Sequence, residues 1–184
     1  MFNITPETRL EGKILESPEF IAGSQHVSIG EGHKEKIVGV HVKQILDYID
    51  RQPWEQYRRK LRTIAFLHDL GKIRVIRNEK GGIVGNSHSQ HSEEIARRFI
   101  TDEDLLYIIR VHDRYASFFR EHSAQRFRSD KFVKTYSVAD LDVLTRFNYA
   151  DSNNRDKFSV IWFEDKCLEL GLKKDLVYQT EQAR

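Results

Sequence analysis

Residues Thr63–Lys72 read "TIAFLHDLGK", and this stretch decides the fold. Tyr57, Leu61, Ile64 and His68 recur at the spacing of one helical face. Pro53 breaks the chain upstream, so a helix is expected from there to Leu70, with Gly71 as its C-terminal stop. His68 and Asp69 then stand side by side where an apolar helix ends. An imidazole and a carboxylate are costly to bury there unless a partner or an ion satisfies both.

Working outward, a first long helix is expected from about His33 to Ile49, with Ile37, His41, Ile45 and Tyr48 on one stripe. Downstream, "IRVIRNEKGGIVGN" (residues 73–86) reads as a small hairpin, with turn residues from Asn78 to Gly82 between two β-prone runs. A third helix begins near Ser87 or Ser89. Thr101 with Asp104 is a capping pair for a fourth, "LLYIIRVHDR". Ser137 is the expected cap of "VADLDVLTRFNYAD", and a last helix lies within 157–180, interrupted at Gly171. Residues 1–32, with Gly12, Gly23, Gly30 and Gly32, are expected to be an irregular lead-in. The strand content is too low for an α/β sheet. The expectation is an all-α helical bundle with a small β-hairpin, one domain over residues 33–184.

Composition narrows the chemistry. The 184 residues suffice for a domain with a sizeable core. No apolar run approaches a membrane span, and "MFNITPETRLEG" lacks the pattern of a signal peptide. The only cysteine is Cys167, so no disulfide framework or thiolate metal cluster can form within one chain. These features point to the cytoplasm and away from the membrane, and leave His, Asp and Glu to hold any metal. Net charge is only +2, yet Arg110, Arg114, Arg120, Arg126, Arg128, Lys131 and Lys134 face only Asp113, Glu121 and Asp130. That segment reads either as a solvated helical face or as a local attraction for phosphate groups.

One histidine on an apolar stripe is more often a hydrogen-bonded core residue than a ligand. Four alter the balance: His41, His68, His91 and His112 fall on four successive expected helices, and Asp69 and Asp151 supply carboxylates. Imidazoles and carboxylates on separate helices are what a metal cage in a bundle requires. Mixed nitrogen and oxygen donors suit Mn, Fe, Co, Ni or Zn.

His41, His68–Asp69 and Asp151, set out as "H…HD…D", resemble the signature of the HD superfamily of metal-dependent phosphohydrolases. "FLHDLGK" matches its central motif closely, and the resemblance covers about residues 33–155. His91, in "SQHSEEIARR", and His112, in "IIRVHDR", are similar to the extra pair of the subset that holds two metals. The resemblance implies one ion on His41, His68, Asp69 and Asp151, and a second on Asp69, His91 and His112. It implies one or two divalent transition metal ions per chain, and a Lys72 directed at a substrate phosphate. A helix-ending Lys that favours the helix dipole is the plainer account of Lys72.

His88, three residues before His91, is the alternative ligand; His91 is preferred because the Ile95 and Ala96 that follow it match the family pattern. His26, His33 and His122 are taken as surface or loop residues. Asp140 is read as a capping carboxylate below Ser137, and Asp142 as exposed or supporting. Arg114 and Arg155 can each grip a phosphate bidentately or form a structural ion pair. No P-loop occurs, and no serine or cysteine nucleophile stands out. The function expected is hydrolysis of a phosphoester of a nucleotide or nucleic-acid end, RNA included, by metal-activated water, with His68, Asp69 and Lys72 carrying the chemistry. The alternatives are a nucleotide- or RNA-binding module without turnover, and an iron oxygenase of the same fold.

Overall fold

Seven consecutive residues, Leu61 to Leu67, are buried at the end of the helix that follows Pro53. A computed structural model describes residues 3–27, 37–153 and 157–177. In it the chain divides into two compact units, Met1–Arg110 and Val111–Arg184.

The first unit begins with two short helices, α1 (Arg9–Leu15) and α2 (Pro18–Ser24). The expected irregular lead-in is therefore helical where it is described. Thr8 caps α1 by accepting from the Glu11 N–H, and Ser17 caps α2 from the Phe20 N–H, with Pro18 at the first helical position. Then follow α3 (Val38–Asp50) and α4 (Glu55–Leu67). The expected start of α3 at His33 falls outside the described residues. Val42, Ile45 and Ile49 of α3 and Leu61, Ile64 and Phe66 of α4 are at most 1% exposed. Phe20 of α2 packs on Phe66, ring centroids 5.8 Å apart.

Arg62 lies inside this core and is satisfied by carboxylates. It makes a bidentate pair with buried Glu11 at 2.9 and 3.0 Å and reaches Asp50 at 2.9 Å. This pair anchors α1 on α4.

Beyond α4 the chain tightens into a 3-10 segment, Leu70–Arg74, and a hairpin of β1 (Ile76–Arg77) and β2 (Ile83–Val84). Ile76 pairs with Val84 and Arg77 with Ile83. The turn is as expected from its residues: the Asn78 carbonyl of the side chain accepts from the Lys80 and Gly82 N–H groups, and Gly81 has φ +77°. Next come α5 (His88–Ala96), held by a capping box between Ser87 and Gln90, and α6 (Glu103–Val111). Asp102 rather than Thr101 caps α6, accepting from the Asp104 and Leu105 N–H groups at 3.1 Å.

The second unit holds α7 (Arg114–Ser123), α8 (Ser129–Tyr136), α9 (Leu141–Asp151) and α10 (Phe158–Glu169). Its centre is aromatic: Phe132 lies 4.8 Å from Tyr136 and 5.2 Å from Phe118, and Tyr136 lies 4.9 Å from Phe163, centroid to centroid. Asp140, not Ser137, caps α9 by accepting from the Val143 N–H, while Ser137 closes α8. Asp140 was read one turn too deep. α10 ends just before Gly171, whose φ is +68°. The described chain is thus helical with a single small antiparallel hairpin. No helix among the described residues is long and apolar enough to cross a membrane.

Candidate metal centre

Gly71 sets the geometry around the HD pair, though not as a helix stop. α4 ends at Leu67, and Gly71 sits within the 3-10 segment. A Cβ on Gly71 would collide with the His88 carbonyl oxygen and the Ser92 nitrogen, both backbone atoms that cannot yield cheaply. The missing side chain lets α5 lie directly against this segment. The Gly71 N–H donates to Ser92 Oγ at 2.8 Å and fixes the rotation of α5. His88 is four residues before Ser92 and shares its helical face.

The consequence is a cluster around Asp69, which is 3% exposed. His68 Nε2 is 3.3 Å from Asp69 Oδ2, and His41 Nε2 is 3.9 Å from the same oxygen. His88 Nε2 is 3.6 Å from Oδ1, and Lys72 Nζ is 2.6 Å from Oδ2. The His41 and His68 rings meet edge-on at 5.5 Å, and a nitrogen of each lies within 4.8 Å of the other. Burial alone would raise the Asp69 carboxyl, but Lys72, His68 and His88 overcome it and hold the group well below the usual carboxylate range. Asp69 is therefore an anion at neutral pH. Burial and the charge of Lys72 lower His26, with Asp69 opposing.

The tautomer of His68 bears on what this cluster binds. Its Nδ1 lies 3.0 Å from the Ala65 carbonyl oxygen. A carbonyl only accepts, so Nδ1 carries a proton; with the ring neutral, as a metal ligand must be, the Nε2 lone pair would face Asp69. A lone pair facing a carboxylate oxygen is the arrangement of two donors to one cation. The donor set is imidazole nitrogen plus carboxylate oxygen, which fits a divalent transition metal. The backbone carbonyl on the other ring nitrogen is the usual device that orients a ligating histidine.

Other expected site residues are placed as follows. His91 Nδ1 is 3.2 Å from Glu94 Oε2, on the side of α5 next to His88. In the second unit His112, 2% exposed, follows α6, and its ring meets that of Phe147 edge-on at 6.2 Å. Phe147 lies one turn before Asp151, the last residue of α9, which is 9% exposed. Arg114 opens α7 with its guanidinium 5.7 Å from the Phe118 ring centre. Arg155 and His33 lie outside the described residues. His122 is exposed, as expected of a surface residue, and sits in α7 with its ring 5.2 Å from that of Trp162. Arg110 and Arg128 of the basic segment are paired, with Glu93 and Asp130. Asp142 is exposed and receives Arg146.

The family model of the HD domain matches residues 36–140, more than half of the chain. The chain belongs to the HD-domain superfamily of metal-dependent phosphohydrolases. The match includes His41, His68–Asp69, Lys72, His88, His91 and His112 and ends before Asp151. No curated protein and no solved structure matches. HD domains bind divalent metals, and the His and Asp residues gathered here could hold one.

Proposed function

We propose that the protein is a metal-dependent phosphohydrolase acting on a phosphoester of a nucleotide or of an RNA end. The observation that carries this reading is the set of three imidazole nitrogens standing 3.3–3.9 Å from the oxygens of one buried carboxylate. Those separations exceed ordinary N–H···O hydrogen bonds of about 2.7–3.2 Å. They suit side chains that share an ion.

In this account His41, His68 and Asp69 are ligands. His88 takes the place that the sequence alone gives to His91, because α5 turns His88 to Asp69 and His91 to Glu94. His112 and Asp151 are retained as ligands on the family resemblance. When bound, such an ion supplies Lewis-acid activation of water and of a phosphoryl oxygen. Lys72 holds the remaining phosphoryl oxygens. It lies at the carboxylate, within reach of an arriving anion. Water oxygen bonds to phosphorus as the ester P–O bond breaks, and the alcohol leaves with the proton. Lys72 is a point charge on a flexible stem, suited to following the phosphoryl group as its charge is redistributed. Arg114 and Arg155 are further candidates for a phosphate oxygen.

The test is phosphate release from nucleotides and RNA-end phosphates, with Mn, Co, Ni, Mg or Zn restored to chelator-treated protein. Release that depends on the added metal is expected. Oxygen consumption without phosphate release, or binding without turnover under every metal, would contradict it.

A further inference from the structure

Lys72 and His88 both touch Asp69, and both also line a cleft of about 290 Å³. Its other walls include His26, Val27, Arg77 and Ile83. Arg77 and Ile83 are register partners in the hairpin, so their side chains emerge on one face of it. Ile76 and Val84 take the opposite face. Arg77 is braced across the turn by donating to the Gly81 carbonyl at 2.7 Å. On the other wall, His26 is pinned by its backbone: its N–H donates to Gly23, and its carbonyl accepts from the Val38 N–H at 3.1 Å. Val27 bridges to Ile37.

The lining has a definite chemistry. Lys72 and Arg77 are cations, and no acidic residue of the described chain is part of it. Val27 and Ile83 are apolar and about half exposed, at 51% and 45%. His26 and Arg77 are planar groups that stack on flat rings. The volume lies at the small end of small-molecule sites, which run from about 300 to 1,000 Å³. That is room for one compact organic group.

We infer that this cleft binds the organic part of a small phosphomonoester bearing a flat aromatic ring, with His26, Arg77 and Ile83 as the residues that set its specificity. The inference rests on the phosphohydrolase reading of the Asp69 cluster. Lys72, being in contact with Asp69, marks the phosphoryl end. The ring then lies between Val27 and Ile83, against His26 and Arg77.

The experiment compares kcat/KM of the metal-loaded full chain for adenosine 5′-monophosphate and for glycerol 2-phosphate, which has no ring. The wild type favours the ring-bearing ester. His26→Ala, Arg77→Ala and Ile83→Ser each reduce that preference about tenfold, through KM, as expected for loss of one pocket contact. Ile76→Ser, on the opposite hairpin face, keeps the preference. An unaltered preference in all three variants would overturn the inference. So would faster release from a short RNA with a 3′-phosphate than from adenosine 5′-monophosphate. Should the wild type release phosphate from none of these, the hydrolase reading fails by itself. Calorimetric binding of adenosine 5′-monophosphate then decides the cleft. Weaker binding in the three variants but not in Ile76→Ser sustains it, and equal or no binding overturns it.

Discussion

Each unit buries a carboxylate, and the two are held in opposite ways. Glu164 of α10 is fully buried and accepts from Tyr149 Oη at 3.1 Å, Lys173 Nζ at 3.0 Å and the Val177 N–H. These donors close on both oxygens at hydrogen-bonding distance. Glu164 ties the chain beyond α10 to α9 and has a purely structural part. Asp69 has Lys72 Nζ as a close donor, and three imidazole nitrogens stand around it at 3.3–3.9 Å. A buried charge whose partners fit tightly stabilises a fold. One ringed by further potential ligands at wider spacing is arranged for an ion.

Substitution should separate the two. Asp69→Asn removes a ligand charge and should lower phosphate release by about a thousandfold or more, since metal activation supplies several kcal/mol and each factor of ten is about 1.4 kcal/mol. Its helical circular dichroism should persist. Glu164→Ala takes the acceptor from Tyr149 Oη and the Val177 N–H and leaves Lys173 to Asp142 at 3.5 Å, and should cost about 3–5 kcal/mol of stability in denaturant titrations. Its metal content should hold. A stable Glu164→Ala, or a fully active Asp69→Asn, would erase the contrast.

A finer division runs along α5. His88→Ala should weaken metal binding about 10- to 100-fold, the size expected when a contributor to a metal site is removed. His91→Ala removes the contact with Glu94 and should leave binding within about twofold, since surface pairs contribute about 0–1 kcal/mol. Calorimetry with Mn or Ni on both variants reads this directly. The reverse pattern would restore His91 to the ligand set.

The smallest effect concerns the second unit alone. Burial pushes the Cys167 thiol from its ordinary 9.0 up to about 12, with Lys173 opposing and Glu164 adding to the rise. The folded thiol therefore keeps its proton where the unfolded one, titrating at its ordinary value, loses it. Stability from this group is complete below that pH and declines as pH rises toward 12. Cys167→Ala should flatten the alkaline slope of stability. In the native protein, alkylating reagents should reach Cys167 slowly at pH 8.

Much of this was legible in the sequence. "LHDLGK" announces itself because an apolar helix ends on two polar residues. Asn78 and Gly81 announce the hairpin because its turn uses the side-chain acceptor of the first and the positive φ of the second. α1 and α2 escaped notice because seven residues carry too little periodicity, although Thr8, Ser17 and Pro18 were proper start signals. The choice between His88 and His91 is a matter of helix rotation. Two residues three apart share a face, and the Gly71–Ser92 contact that fixes the rotation is long-range. His26 lies in the loop after α2, as its sequence suggests; its approach to Lys72 comes from the folding of α2 against the 3-10 segment, which nothing local announces.

The central claim is that Asp69 and its imidazoles hold a divalent transition metal. Elemental analysis of the purified protein, with calorimetric titration of Mn, Co, Ni and Zn into chelator-treated wild type and Asp69→Asn, tests it most directly. The account predicts one or two ions per wild-type chain and a large loss of binding in Asp69→Asn, with helical content retained in both. A folded wild-type protein that carries no metal and takes up none of the four would contradict it.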